Sequence, residues 1–244
     1  MRNGEFILNG VHSSEFGAVI QSRPQINVPN RRRIRFSIPG SDGEYVIDDE
    51  AYDNSEMELN IAIKGPDYDT AKKYKDILSG ILSSVGYVSF TPYFDPDVEY
   101  YVFLGSELEY SQNGYYDDLY VIRAVFSVRP YKHLIAHTPY KASKDVMVNN
   151  PFEYSSNPKI NIKGSGNGIL NVNGIEYIFK NVDDSIVVDS ETKNAYKESG
   201  SSILNRNDRM YTIDFPTLKP GMNTISISGG FTSFTVEPRW RNLI

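Results

Sequence analysis

The sequence contains no cysteine, which excludes disulfide bonds, thiolate metal ligands and cysteine nucleophiles. It also lacks a run of about 18 apolar residues, so we expect no membrane-spanning helix. Glu5 interrupts the first residues, which therefore do not form the apolar core of a signal peptide, and we expect no export signal. Basic residues do not predominate either. The net charge of −6 opposes a phosphate-binding surface over the whole protein.

Aromatic residues are abundant, with 18 tyrosines and 12 phenylalanines among 244 residues, and such side chains favour strands and protein interfaces. Short alternating segments bounded by Gly, Pro, Asn or Asp dominate the first half. In "EMELNIAI" the alternation places four side chains on one face, which predicts a half-buried strand; they are Met57, Leu59, Ile61 and Ile63. The cluster "PGSDGEY" at 39–45 predicts a tight turn between two strands.

One helix is predicted at about 69–84. Its apolar side chains follow the spacing of a single helical face that packs against a sheet; they are Tyr74, Ile77, Leu78, Ile81 and Leu82. Asp67 or Asp69 is suited to cap the start of the helix, and Gly86 lies just beyond its end.

Residues 132–158 lose the alternation and gather proline, asparagine and serine, which is typical of a linker. A new series of short strands follows. We therefore predict a mainly β protein with two domains. The first, 1–140, is β-sandwich-like with one α-helix, and the second, 141–244, is a β-sandwich.

The segment "RRRIRF" is the one basic stretch. As a strand, it would place Arg31, Arg33 and Arg35 on one face and the intervening residues on the other. Three interpretations stand: a nucleic-acid patch, a charged edge strand that resists unwanted pairing, and an ion-paired contact with a neighbouring copy.

Four carboxylates lie close together at Asp183, Asp184, Asp189 and Glu191. A glycosidase needs two carboxylates held rigidly across a sugar cleft. Asp183, Asp184 and Glu191 instead fall in two predicted turns, with Asp189 at the end of the strand between them, and acidic side chains at such corners bind nearby backbone amides. The sequence favours that structural role over catalysis.

Other candidate sites give weaker patterns. His133 and His137 have the spacing of two zinc ligands on a helix, but no third ligand is near and prolines flank the segment, so we interpret them as linker residues. "GSGNG" at 164–168 lacks the residues that complete a phosphate-binding loop and is interpreted as a flexible hairpin tip. No nucleophile motif is present. We predict no catalytic residues, no metal site and no cofactor.

Several ordered motifs resemble the distal tail protein family of long-tailed, non-contractile bacteriophages and prophages. In the first half these are "FILNGVHSSEFGAVI", "IPGSDGEYV" and "FSVRPYKHL". In the second half they are "ILNVNGIEYIF", "IVVDSETKNAY", "LKPGMNTISISGG" and "VEPRWRNLI". The resemblance extends over essentially the whole chain.

This resemblance implies a β-rich first domain that closes into a hexameric ring and a galectin-like, carbohydrate-binding-module-like sandwich on the outside of the ring. It implies a place at the tail tip of the virion, after assembly in the host cytoplasm. The implied partners are other copies, the tail tube, and the tape-measure, tail-associated and receptor-binding proteins. DNA would pass through the bore without specific binding, repelled there by the excess of acidic residues.

A closed ring needs two complementary faces on each subunit, and Arg31, Arg33 and Arg35 are the candidates for one of them. The alternative function is a carbohydrate-binding module, in which aromatic side chains of the second domain stack on cell-wall sugars. Trp240 is poorly suited to that role if it is buried. Its position between Arg239 and Arg241 predicts packing against the stems of these arginines.

Overall fold

The computed structural model describes residues 1–112, 116–135, 138–200 and 202–244. Strands account for 55% and helices for 9% of the chain, which confirms the predicted mainly β class with one α-helix. No helix in this described part is long and apolar enough to cross a membrane. The chain divides into two compact units. The first is Met1–Ile135 with Leu243–Ile244, and the second is Ala136–Asn242.

The first unit is built on one antiparallel sheet. Its strands are β1 (Phe6–Leu8), β2 (Val11–His12), β3 (Ala18–Ile20), β6 (Ser55–Lys64), β7 (Val88–Pro92), β8 (Val98–Leu104), β9 (Glu109–Gln112), β10 (Leu119–Val128) and β11 (Tyr131–Leu134), with β4 (Arg31–Phe36) and β5 (Tyr45–Tyr52) forming a separate pair. The sheet order is β2-β1-β7-β8-β10-β6-β3, with β9 beside β10 and β11 beside β8. The strands β6 and β10 pair along their whole length, and the short strand β3 lies on the other side of β6.

The predicted face of β6 is buried in the core. Met57, Leu59, Ile61 and Ile63 are each at most 1% exposed, while the residues between them remain exposed or half-buried. This alternation lets one face of the strand exclude water while the other stays hydrated. The prediction from the sequence is confirmed.

The helix α1 (Tyr68–Leu82) covers the core side of the sheet. Its start is capped by Asp67, whose side chain accepts a hydrogen bond of 2.8 Å from the Thr70 amide. Leu78 and Leu82 are buried as predicted. Ile77 is 36% exposed, so its predicted place in the buried face is wrong.

The second unit contains the remaining strands, in an order that also gives an antiparallel sheet. They are β12 (Tyr140–Ala142), β13 (Asp145–Asn150), β14 (Lys159–Val172), β15 (Ile175–Val182), β16 (Ser185–Asp189), β17 (Asn194–Ser199), β18 (Ser202–Asn205) and β19 (Gly221–Glu237). The last strand, β20 (Arg241–Leu243), belongs to the sheet of the first unit. The order is β12-β19-β14-β16-β17-β18, with β13 beside β19 and β15 beside β14. The predicted linker at 132–158 is wrong, because this segment contributes parts of three strands.

The glycines at 164–168 lie inside β14 rather than at a hairpin tip, so that interpretation is wrong. The pairing of β14 with β19 changes register there, and the two halves of β14 pair with different neighbours, β16 and β15. A Cβ atom at Gly168 would lie 2.7 Å from the ring of Phe231, and one at Gly230 would lie 2.0 Å from the Ser165 carbonyl oxygen. Glycine is required at these positions because the Phe231 ring and the opposite backbone leave no room for a side chain.

Candidate assembly interface

The pair β4 and β5 and the turn between them form a two-stranded ribbon, residues 31–52, which we call the arm. Within the described residues its strands pair only with each other. The turn lies where the sequence predicts it, with Gly40 and Gly43 at φ values of +83° and +81° that favour glycine. An isolated ribbon of two strands has little stability of its own in water.

One face of the arm is apolar and exposed. Ile34 lies opposite Ile47, and Phe36 lies opposite Tyr45 with the two rings stacked at 5.7 Å between centroids. Residues opposite each other in a sheet share a face, so these four side chains form one surface. Each of them is at least 42% exposed to solvent. A continuous exposed apolar surface of this kind marks an interaction site.

The opposite face carries the arginines that the sequence singled out. Arg31 binds Asp48 through two guanidinium nitrogens, with Nε 2.8 Å from Oδ1, and it also donates to the Tyr52 hydroxyl. These hydrogen bonds raise the pKa of Arg31 and lower the pKa of Asp48, so the pair stays ionised. Arg33 and Arg35 lie at the next alternate positions. In the described part of the chain, neither arginine forms an ion pair.

The base of the arm is held by several contacts. Nε of Arg32 lies 3.1 Å from Oδ1 of Asp53, whose amide donates to the Asn30 carbonyl at 2.9 Å. The ring of Tyr52 meets that of Tyr131 edge-on, with centroids 5.9 Å apart. A change of register between Arg31 and Arg33 further shapes this end. Two of the four arginines are therefore used inside the arm, which leaves Arg33 and Arg35 for a partner.

The apolar face of the arm was not predicted from the sequence. The signal was present, because "RIRF" and "YVID" each alternate a β-branched or aromatic residue with a charged or smaller one. The prediction from the arginines placed the interface on the charged face of the arm, where Asp48 already neutralises Arg31. The opposite face exposes large apolar side chains to water; they are Ile34, Phe36, Tyr45 and Ile47.

The acidic cluster of the second unit has a structural role. Asp189 is buried, with its side chain 6% exposed, and Arg239 binds it through two nitrogens at 2.7 and 3.1 Å. The same guanidinium lies 3.4 Å from Oε2 of Glu191. Burial acts to raise the pKa of Asp189, but the hydrogen bonds from Arg239 outweigh it and hold the pKa below its usual range. The sequence did not indicate this partner, which lies 50 residues away.

The geometry does not support a pair of catalytic carboxylates. A groove of about 380 Å³ lies beside Asp189, which is the one carboxylate among its described lining residues. Asp183 and Asp184 lie at the turn after β15, and both are largely exposed. A constantly ionised Asp189 is also unable to supply a proton as a general acid.

The histidines do not form a metal site in the described residues. His133 lies in the strand β11, with its ring edge-on to Tyr101 at 5.4 Å, so the prediction that it lies in a linker is wrong. His137 lies outside the described residues. No group of three potential ligands was found in the described ranges. Trp240 is 4% exposed and therefore does not offer a stacking surface to a sugar.

No protein-family model and no curated protein matches this sequence. Among solved structures, the chain is similar to the Dit protein of phage SPP1, described as a paradigm of the hub adsorption apparatus in phages that infect Gram-positive bacteria. The TM-score is 0.70 at 14% identity, covering 98% of this chain and 99% of that one. The predicted resemblance to distal tail proteins is confirmed at the level of the fold.

Chains of the phage P2 baseplate in its activated conformation are also similar. The baseplate with strontium gives a TM-score of 0.54 at 10% identity over 98% of each chain. The baseplate with calcium gives 0.52 at 11% identity over 97% of this chain and 98% of that one. The likeness includes both units of this chain, since the matched regions extend over nearly its whole length.

Proposed function

We propose that this chain is a structural protein of a phage tail tip, in which copies join into a closed, hexameric ring between the tail tube and the baseplate or receptor-binding proteins. It acts by binding rather than by catalysis. The observation that carries the proposal is the arm, which exposes an apolar face that no other described part of the chain covers. The structural likeness to a phage hub protein over 98% of this chain supports a place in the phage tail.

The form of the arm suits a ring. A ring closes through contacts between two different surfaces of each subunit, repeated around an axis. A projecting ribbon provides one such surface, and its apolar face would be removed from water against the next copy. At about 25 cal/mol per Å² of buried apolar area, burying four large apolar side chains contributes several kcal/mol to association. The free arginines Arg33 and Arg35 would add specificity.

The test is the mass of the purified full-length protein in solution over a concentration series, measured by light scattering. We expect a species of six-fold mass that dissociates on dilution. The variant Ile34→Asp places a charge on the apolar face and should abolish this species. The control Ile213→Asp changes an isoleucine that is 93% exposed in the second unit and should leave it intact. A wild-type protein that stays monomeric at all concentrations contradicts the proposal.

A second candidate function, sugar binding by the second unit, has one observation in its favour. The groove beside Asp189 is lined by Tyr196, Asn194 and Asn205, which combine an aromatic ring with amide groups. Such a combination suits a carbohydrate. Binding to cell-wall glycans on an array, lost in Tyr196→Ala and observed without any oligomer, would favour this function over the ring.

A further inference from the structure

A cleft opens along one edge of β6. The segment 22–29, which we call the strap, follows β3. The pairing of β3 with β6 ends at Gln21, whose amide donates to the Asn60 carbonyl at 2.8 Å. The chain returns to the same edge where the Asp53 amide donates to Asn30. Between these points the strap has eight residues and the facing segment 54–59 has six. The longer strap bows outward, and a space of about 480 Å³ lies between it and the outer face of the sheet, where Arg123 and Val125 of β10 line the space beside Glu56 and Glu58 of β6.

The strap is built so that it does not close this space. Pro24 and Pro29 have no amide hydrogen and cannot donate to a neighbouring strand. Ile26 in the middle of the strap packs against the hydrophobic core, and Pro29 at its end is buried, so the second half of the strap is anchored. The cleft is therefore a fixed feature of the fold.

The backbone of β6 directs unused hydrogen-bonding groups into the cleft. Asn60 and Lys64 bond toward β3 and its flanking residues, as shown by the contacts Gln21 N–Asn60 O and Lys64 N–Gly17 O. Alternate residues of a strand bond to the same side, so the N–H and C=O groups of Glu58 and Glu56 face the same edge. In the described ranges these groups have no partner there. An open edge of this kind is a template for an added strand.

Charged side chains of both signs line the cleft, and one glutamate among them lacks a partner in the described residues. Glu58 and Glu109 share the guanidinium of Arg123 at 2.7 and 2.8 Å, and Glu56 forms no ion pair in the described part of the chain. On the other wall, Arg23 lies over the ring of Phe94, 5.1 Å from its centroid. The lining thus holds two glutamates and two arginines, and Glu56 is the one of these four charged groups without an ion pair or ring contact in the described residues.

We propose that this cleft receives one strand of the arm from a second copy of the chain. The added strand would bond to the backbone of Glu56 and Glu58, and Arg33 and Arg35 would meet their carboxylates. This inference rests on the proposed ring and names its second surface. The strand β4 of the arm is the fitting occupant because its outer edge is free and because it carries Arg33 and Arg35 and no carboxylate. In a single copy the arm begins where the cleft ends. Placing this arm in the cleft of the same copy would break the hydrogen bond from the Asp53 amide to the Asn30 carbonyl.

Cysteine cross-linking tests the contact directly, because the natural chain has no cysteine to give a background. Full-length Arg35→Cys and Glu56→Cys proteins are mixed, oxidised and separated under denaturing conditions. We expect a disulfide-linked dimer from the mixture at several times the yield from either protein alone. The matched control replaces Glu56→Cys by Lys193→Cys in the second unit and should give no such increase. Equal yields with both partners would overturn the proposal.

A charge exchange gives an independent readout. Arg35→Glu and Glu56→Arg should each weaken assembly about tenfold, and both the double variant and a one-to-one mixture of the two single variants should restore it. In a ring in which the single variants alternate, each introduced glutamate meets an introduced arginine and each natural arginine meets a natural glutamate. Failure of the double variant to recover assembly would count against the contact.

The outcomes separate this inference from the proposed function. If Ile34→Asp abolishes the six-fold species but cross-linking and charge exchange both fail, the arm docks elsewhere and the ring remains. If the wild-type protein forms no oligomer, both proposals are wrong.

Discussion

The strand β6 and the arm have the same alternation of apolar and polar residues but opposite surroundings. Met57, Leu59, Ile61 and Ile63 of β6 are at most 1% exposed, whereas the four side chains of the apolar face of the arm are at least 42% exposed. The sheet and helix of the same chain cover the first face, and no described residue covers the second. Alternation therefore identifies a face that must be removed from water, but it does not identify what removes it. For the arm we infer that another copy does so.

The largest effect is expected at the covered face. Leu59→Ala removes a fully buried side chain opposite Ala124 and should lower the free energy of unfolding by about 2–5 kcal/mol, because it leaves a cavity in a packed core. Urea unfolding followed by circular dichroism measures this change. A loss below about 1 kcal/mol would show that the β6 face is poorly packed and would weaken the contrast with the arm.

The ion pairs Arg239–Asp189 and Arg31–Asp48 also differ in burial, since the first is largely buried and the second is exposed. Arg239→Gln removes the partner of the buried Asp189 and should cost about 1–2 kcal/mol at neutral pH, allowing for the partial exposure of Arg239. The folded-state pKa of Asp189 is lowered, so its contribution is present above the unfolded pKa of about 3.9 and is lost as pH falls through the folded value. The stability difference between wild type and variant should therefore shrink below about pH 4.

Trp240 is buried and follows Arg239 in the sequence. Its fluorescence reports urea unfolding, which is measured at pH 7 and pH 3. The matched control is Arg31→Gln in the arm, where the Asp48 partner is exposed and salt screens the attraction. We expect no measurable change in that variant when the protein is dilute. A difference for Arg239→Gln that does not depend on pH would contradict the ionised state of Asp189.

Features set by neighbouring residues could be predicted from the sequence. The helix follows from its apolar spacing and from the cap at Asp67, and the burial of β6 follows from a two-residue period. Features that depend on distant residues could not. Asp189 meets Arg239 across 50 residues, and the glycines near 166 face a second glycine-containing strand that only the folded sheet brings close.

The candidate site shows the same limit. The arginine positions and the turn of the arm were evident, because both are local patterns. The exposure of Ile34 and Ile47 was not, since no local pattern tells a buried ribbon from a projecting one. The cleft beside β6 was also hidden, because it arises from a difference in length between two segments whose ends are joined by hydrogen bonds.

The smallest effect on folding is expected at the arm, because its apolar face is exposed in the single chain. Ile34→Ala removes exposed apolar surface and should change the free energy of unfolding of the dilute protein by no more than about 0.5 kcal/mol. The same variant should raise the concentration needed for assembly, because the lost surface is buried only between copies. Urea unfolding at low concentration and light scattering at high concentration measure the two effects. A loss of folding stability as large as that of Leu59→Ala would instead mean that this chain covers the arm itself.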